Sequence, residues 1–195
     1  MGFDRLQQYS DGCEWMGATV GRVANVITKG TFSIGSDQYS VSLNDGPNHL
    51  HGGGKGFSSQ QWDAKIVTLG EDEALSLELA SPDGHEGYPG NVTVQVQFSL
   101  PSEDQLRIEY AGQSDKDTPL NVSNHSYWNL LDAGRSTVAD HTVKINADEF
   151  TAVDEETVLN GGTGQVWPVS GDMDLRTEKR IGDALCRKDQ METLL

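Results

Sequence analysis

A strict two-residue alternation runs through the middle of this chain and limits what it can fold into. Val92, Val94, Val96 and Phe98 alternate with Thr93, Gln95 and Gln97, and Leu106, Ile108 and Tyr110 alternate with Arg107 and Glu109. Successive side chains of a strand point to opposite faces, so each run buries one face and wets the other. Pro101-Ser102-Glu103-Asp104 between them is turn chemistry, and the two runs read as an antiparallel hairpin with one buried face. Leu75, Leu77 and Leu79 predict a preceding strand, Tyr39, Val41 and Leu43 an earlier one, and Val143 and Ile145 a later one. Helical spacing is confined to 178–190, where Ile181, Ala184 and Leu185 share a modest apolar face. Most of the 22 glycines punctuate the β-patterned runs. The expected fold is all-β, an antiparallel β-sandwich built from meanders. It forms a single domain over residues 1–195, with its chemistry on loops and strand ends.

Charge removes several classes of partner. Thirty acidic against 14 basic residues give a net charge of −16, which repels phosphate backbones and anionic lipid unless a basic patch concentrates the positive charge. The densest basic stretch, 179–188, is interrupted by Asp183, so neither nucleic acid nor a membrane surface is an expected partner. No apolar run has the length of a membrane span. The opening residues MGFDRLQQYS show neither a basic nor an apolar signal region. Cys13 and Cys186 form no CxxC pair. The expectation is a soluble cytoplasmic protein, in which the N-x-S/T matches at Asn91, Asn121 and Asn124 are coincidental.

Two segments can carry chemistry. In Pro47-Asn48-His49-Leu50-His51-Gly52-Gly53, a strand end would point His49 and His51 the same way, and the glycines after His51 let another backbone or a ligand approach closely. Two such histidines could serve zinc, but a third ligand and its supporting shell are not identifiable from spacing. An exposed loop with incidental histidines is the alternative. The tract at 52–56 is no phosphate loop, since Gly56 follows Lys55 where Ser or Thr is needed. In Asn124-His125-Ser126-Tyr127-Trp128-Asn129-Leu130, aromatic faces suited to the C–H faces of a sugar alternate with groups suited to its hydroxyls. Residues 17–27 lack dinucleotide-loop spacing and any βαβ context. No hydrolase nucleophile elbow, zinc-protease helix or calcium loop is present.

Taken in order, these segments resemble the aldose 1-epimerase (galactose mutarotase) family. GATVGRVAN at 17–25 is similar to the family's G-A-x-x-G-R-x-A-N-R-I stretch, PNHLHGG at 47–53 to its N-x-L-H-G-G motif, and SPDGHEGYPG at 81–90 to its D-G-x-x-G-Y-P-G turn. NHSYWNL at 124–130 and ADEFTAVDEETVLNGG at 147–162 resemble two later motifs. The resemblance implies a galactose mutarotase-like supersandwich and interconversion of the α and β anomers of galactose or glucose, with no cofactor and no metal. It implies that His125 protonates the ring oxygen and that His51 binds near that oxygen and holds the transition-state geometry. It further implies that Tyr127 lines the sugar pocket, with Ser126 beside it, and that Asn25 contacts a hydroxyl. Histidine suits this task independently, because its ordinary pKa of about 6.5 makes it a usable acid near neutrality.

Three departures bear on activity. Where the family has Asn-Arg this chain has Asn25-Val26, so a guanidinium that would grip hydroxyls is missing. The family's general-base glutamate, with an aspartate that contacts the sugar, falls beyond the equivalent of Leu195. Met1-Gly2-Phe3-Asp4 matches the interior of a family strand. The expectation is a chain truncated at both ends, with open edges and exposed apolar faces, and impaired for want of its base. Glu86, Glu149 and Glu155 fall in other motifs and are not promoted to that role. The competing readings are a non-catalytic carbohydrate-binding module using the same cleft and a mutarotase acting on hexose phosphates. Val26 and the acidic balance oppose the second, which needs positive charge for the phosphate.

Overall fold

The computed structural model describes residues 2–10, 15–70, 72–101, 105–132, 134–151 and 166–185. Cys13, Cys186, Glu155 and most of the 147–162 motif lie outside them. The chain forms two compact units, one of residues 18–125 and one of residues 1–17 with 126–195.

The 18–125 unit contains β1 (Thr19–Val20), β2 (Val26–Ile27), β3 (Thr31–Ile34), β4 (Asp37–Ser40), β5 (His49–Leu50), β6 (Asp63–Leu69), β7 (Asp72–Ser81), β8 (Val92–Ser99), β9 (Arg107–Ser114) and β10 (Ser123–Asn124). Strands β6 to β9 form a four-stranded meander, antiparallel at every step. The hairpin register is the one that alternation demands: Val94 faces Gly112, Val96 faces Tyr110 and Phe98 faces Ile108. Val92, Val94, Val96 and Leu79 share one face of this sheet and are buried with Phe57, while Trp62, Phe98, Ile108 and Val122 close around them. Thr93, Gln95 and Gln97 take the other face. Farther along the apolar face Ile66, Leu75 and Leu106 are exposed.

Two predicted strands are shorter than their patterns. β4 ends at Ser40, because the next amides leave β3: Val41 N–H donates to Gly30 O (2.9 Å) and Ser42 N–H to Glu86 O (2.9 Å). After Val143 the backbone turns away, and Ile145 N–H donates to Leu175 O (2.7 Å).

The strongest packing device in this unit is a charge. Arg22 is 1% exposed and its guanidinium donates to a ring of acceptors gathered from the 81–90 turn. Nε reaches Ser81 Oγ at 2.9 Å, Nη1 reaches Pro89 O at 2.9 Å, and Nη2 reaches Ser81 O, Pro82 O and Gly90 O at 2.8–2.9 Å. It also lies over the Tyr88 ring, 5.7 Å from its centroid. A buried guanidinium survives only when its donors are satisfied, and the fork geometry of arginine suits several carbonyls at once.

The other unit carries α1 (Leu6–Ser10), β11 (Thr142–Val143), β12 (Glu149–Thr151), β13 (Val166–Pro168), β14 (Lys179–Arg180) and α2 (Ile181–Leu185). β11 pairs with β14 and β12 with β13, both antiparallel. The predicted 178–190 helix is corrected at its start: residues 179–180 are strand, held in register by Thr142 and Val143, and helix begins only at Ile181. Residues 186–190 lie outside the described part. Asn129 organises the loop after β10, with Leu131 N–H donating to its Oδ1 and its Nδ2 donating to Ser136 O.

Arg22→Lys replaces five fixed donors by three and strands at least two of these acceptors. It lowers the unfolding free energy by about 2–4 kcal/mol, read from the denaturant midpoint at unchanged m. Arg107→Lys on the exposed side of β9 stays within about 0.5 kcal/mol.

Candidate functional site

The two histidines of the 47–53 segment have opposite fates. β5 ends at Leu50, and His51 takes φ 52°, a left-handed conformation that breaks the strand's alternation. The expectation that His49 and His51 point the same way is therefore corrected. His49 is fully buried in the core. Its Nδ1–H donates to Ser42 O (2.5 Å), and its Nε2 accepts the Tyr88 hydroxyl (2.7 Å). Burial lowers the His49 pKa and raises that of Tyr88, so the pair stays neutral. His49 is a structural residue.

His51 instead meets His125. Their rings stand edge to face at 86° with centroids 5.1 Å apart. β2 and β5 pair antiparallel, and beyond Val26↔Leu50 the ladder reaches Asn25 and His51. These two bond reciprocally: His51 N–H donates to Asn25 O and Asn25 N–H donates to His51 Nδ1, each at 3.0 Å. Because Nδ1 accepts, the proton of the neutral ring sits on Nε2. Asn25 is left-handed too, at φ 67°. Asparagine and histidine tolerate this region better than most residues, yet the strain persists only where surroundings enforce it. On the other side His125 is pinned where β10 ends, its N–H donating to Ala18 O at 2.8 Å beyond the β1–β10 pair.

Burial, reinforced by the neighbouring His125, lowers the His51 pKa to about 4. His51 is thus neutral at physiological pH, with its proton on Nε2. The geometry sets one neutral imidazole of fixed tautomer in edge contact with a second.

The glycines after His51 admit a backbone. A Cβ on Gly52 would sit 1.6 Å from Gly21 O, so residues 17–25 and 47–53 touch main chain to main chain. Phe57 N–H also donates to Gly21 O, at 3.0 Å.

The structure thus brings together His51, His125 and the backbone of Asn25. Ser126 and Tyr127 follow His125 in the chain but open the other unit, and Tyr127 is exposed. Val26 lies in β2 opposite Leu50. Among the described residues no three His, Cys, Asp or Glu side chains gather as a metal ion needs, and no helix is long and apolar enough to cross a membrane. Glu86 is occupied: one carboxylate oxygen accepts Lys55 N–H (2.9 Å) and the other accepts the Ser42 hydroxyl. Sequence reasoning gave no role to this residue or to its neighbour His85, because what they hold at Ser42 and Lys55 is a hydroxyl or main-chain group distant in the chain.

A family model described as aldose 1-epimerase matches residues 1–190. Over 186 residues the chain is 40% identical to a galactose mutarotase of Sus scrofa, covering 95% of this chain and 52% of that protein. Over 190 residues it is 38% identical to an aldose 1-epimerase of Haemophilus influenzae, covering 97% and 54%. The crystal structure of galactose 1-epimerase from Lactobacillus acidophilus NCFM superposes with a TM-score of 0.85 at 33% identity, covering 100% of this chain and 56% of that one. The chain spans about half the length of the curated relatives it matches. The structural likeness gives the fold class expected from the alternation, an all-β sandwich.

In an NMR titration His51 is expected to ionise near pH 4 rather than at its ordinary 6.5. The unfolded chain takes up that proton as pH falls through 6.5, while the folded chain refuses it until about 4. Stability is therefore full above pH 6.5 and declines across this window. His51→Gln flattens part of the decline in thermal-melting midpoint, and buried His49, whose pKa is also lowered, contributes in the same direction.

Proposed function

The chain belongs to the aldose 1-epimerase family, and from that premise we propose that it carries the ring-opening half of a mutarotase site acting on galactose or glucose. The observation that carries the reading is the His51–His125 pair, with one ring held neutral and its tautomer set by the Asn25 amide. In the proposed step His125 delivers a proton to the ring oxygen as the bond from C1 to that oxygen breaks. The C1 hydroxyl loses its proton to a base and becomes the aldehyde. Rotation about C1–C2 and reclosure by the reverse transfers give the other anomer.

His51, by donating from Nε2, holds the oxygen near the ring position and stabilises charge that develops there. Asn25 serves the step through its backbone, which orients His51, and we assign its side chain to a sugar hydroxyl. The assignments of Ser126 and Tyr127 to the sugar rest on the motif resemblance. So does a single domain over residues 1–195, supported by one continuous family match.

Neither Glu86 nor Glu149 is a suitable base. Glu86 has both oxygens engaged, and Glu149 is an exposed residue of β12. By the family resemblance the base is a glutamate of another motif. A site holding only one of the two groups is slower by about 10²–10⁴-fold than one with both, the usual contribution of one positioned acid or base.

Polarimetry of freshly dissolved α-D-galactose and α-D-glucose tests the reading. The expected result is a weak, saturable acceleration that His125→Ala removes. Saturable binding without acceleration would favour the carbohydrate-binding module instead. Val26→Arg restores a donor for sugar hydroxyls and lowers KM about tenfold, the equivalent of about 1.4 kcal/mol.

A further inference from the structure

The 81–90 turn reaches across to the loop that carries His51 and holds one residue of it, Lys55, by both main-chain groups. Glu86 Oε1 accepts Lys55 N–H at 2.9 Å, and His85 Nε2 donates to Lys55 O at 2.8 Å. The donor roles follow from the Lys55 carbonyl. Lys55 O can only accept, so the His85 proton is on Nε2, and Nδ1 accepts the Ser81 hydroxyl at 2.7 Å while Ser81 Oγ accepts Arg22 Nε–H. Direction thus passes unbroken from a buried guanidinium to the loop.

Glu86 makes the firmer hold. Its second oxygen accepts the Ser42 hydroxyl, and its main-chain carbonyl accepts Ser42 N–H. A Cβ on Gly53 would lie 2.2 Å from Oε2, so the carboxylate fills the space that a side chain at 53 would need. Glu86 adopts φ 54°, and Gly87 follows at φ 96°, where a Cβ would come within 2.3 Å of Ser40 O. A non-glycine residue stays left-handed only where its surroundings enforce it, as these contacts do here. The loop is thereby fixed at Gly53 and Lys55, close in the chain to His51, whose far side is fixed by Asn25.

We propose that Glu86 is a positioning residue for His51: by clamping Lys55 N–H and the Ser42 hydroxyl beside Gly53, its carboxylate keeps the 51–56 loop where the His51 ring must rest its Nδ1 on the Asn25 amide. Glu86 never meets the sugar. The use of His51 in sugar chemistry rests on the function proposed above, whereas the hold on its ring does not.

Imidazole ¹⁵N NMR of the 195-residue chain, with and without galactose, tests this on the parent, Glu86→Gln and Glu86→Ala. The parent shows His51 as one tautomer, Nδ1 accepting and Nε2 protonated. Glu86→Ala brings the two nitrogen shifts together as the tautomers mix, and moves the titration midpoint up from about 4 toward the ordinary value. Glu86→Gln keeps a carbonyl for Lys55 N–H and offers its amide to Ser42, so it restores the parent pattern. If Glu86→Ala does not fold, judged by the Val94 and Val96 methyl resonances, Ser42→Ala takes its place with the same expected direction. An unchanged His51 in folded Glu86→Ala, or in the Ser42→Ala that replaces it, overturns the proposal, as does a Glu86→Gln spectrum resembling that of Glu86→Ala. A parent whose His51 ignores galactose counts against the sugar site alone, while the nitrogen shifts still decide the role of Glu86.

Discussion

A single buried guanidinium organises what is chemically useful in this chain. Arg22 cannot be left in the interior without partners, and the 81–90 turn supplies them as carbonyls and a hydroxyl. Satisfying the charge gives that turn one shape. The turn then governs its surroundings: Tyr88 meets buried His49, and His85 and Glu86 meet the loop after His51. Main-chain contact between Gly52 and Gly21 returns the constraint to the segment holding Arg22. The four-stranded sheet supplies stability through apolar burial, but it is this polar frame that decides where the histidines stand.

The site also shows how similar residue types can serve opposite purposes. His49 and His51 are separated by one residue, and burial lowers the pKa of each. One spends its hydrogen bonds on Ser42 and Tyr88 in the core. The other turns left-handed at the strand end, rests one nitrogen on an amide and faces a second histidine. A pair of imidazoles in edge contact, one of them kept neutral, suits a reaction that delivers one proton and needs a fixed donor beside it.

The hairpin of β8 and β9 was legible from the chain because alternation is a direct consequence of strand geometry and burial. The His51–His125 pair was legible only through motif resemblance, since 73 residues lie between them in sequence. What escaped has a common cause. Arg22, His85 and Glu86 act largely on backbone groups, which every residue type offers, so no spacing of side chains announces them. The left-handed turn at His51 was equally invisible: strand alternation predicts a shared face for His49 and His51 until the backbone leaves the strand. The early helix prediction at 179–180 failed because β11 offers those residues a ladder, and tertiary pairing overrides weak local periodicity.

The central claim is that His51 and His125 form the sugar-facing pair while the other histidines of the 18–125 unit are framework. Following the imidazole Cε1–H resonances during a galactose titration tests it most directly. The account predicts saturable shifts at His51 and His125 and still resonances at His49 and His85. Shifts at His49 or His85 with none at the pair, or no response from any histidine of a folded chain, would contradict it.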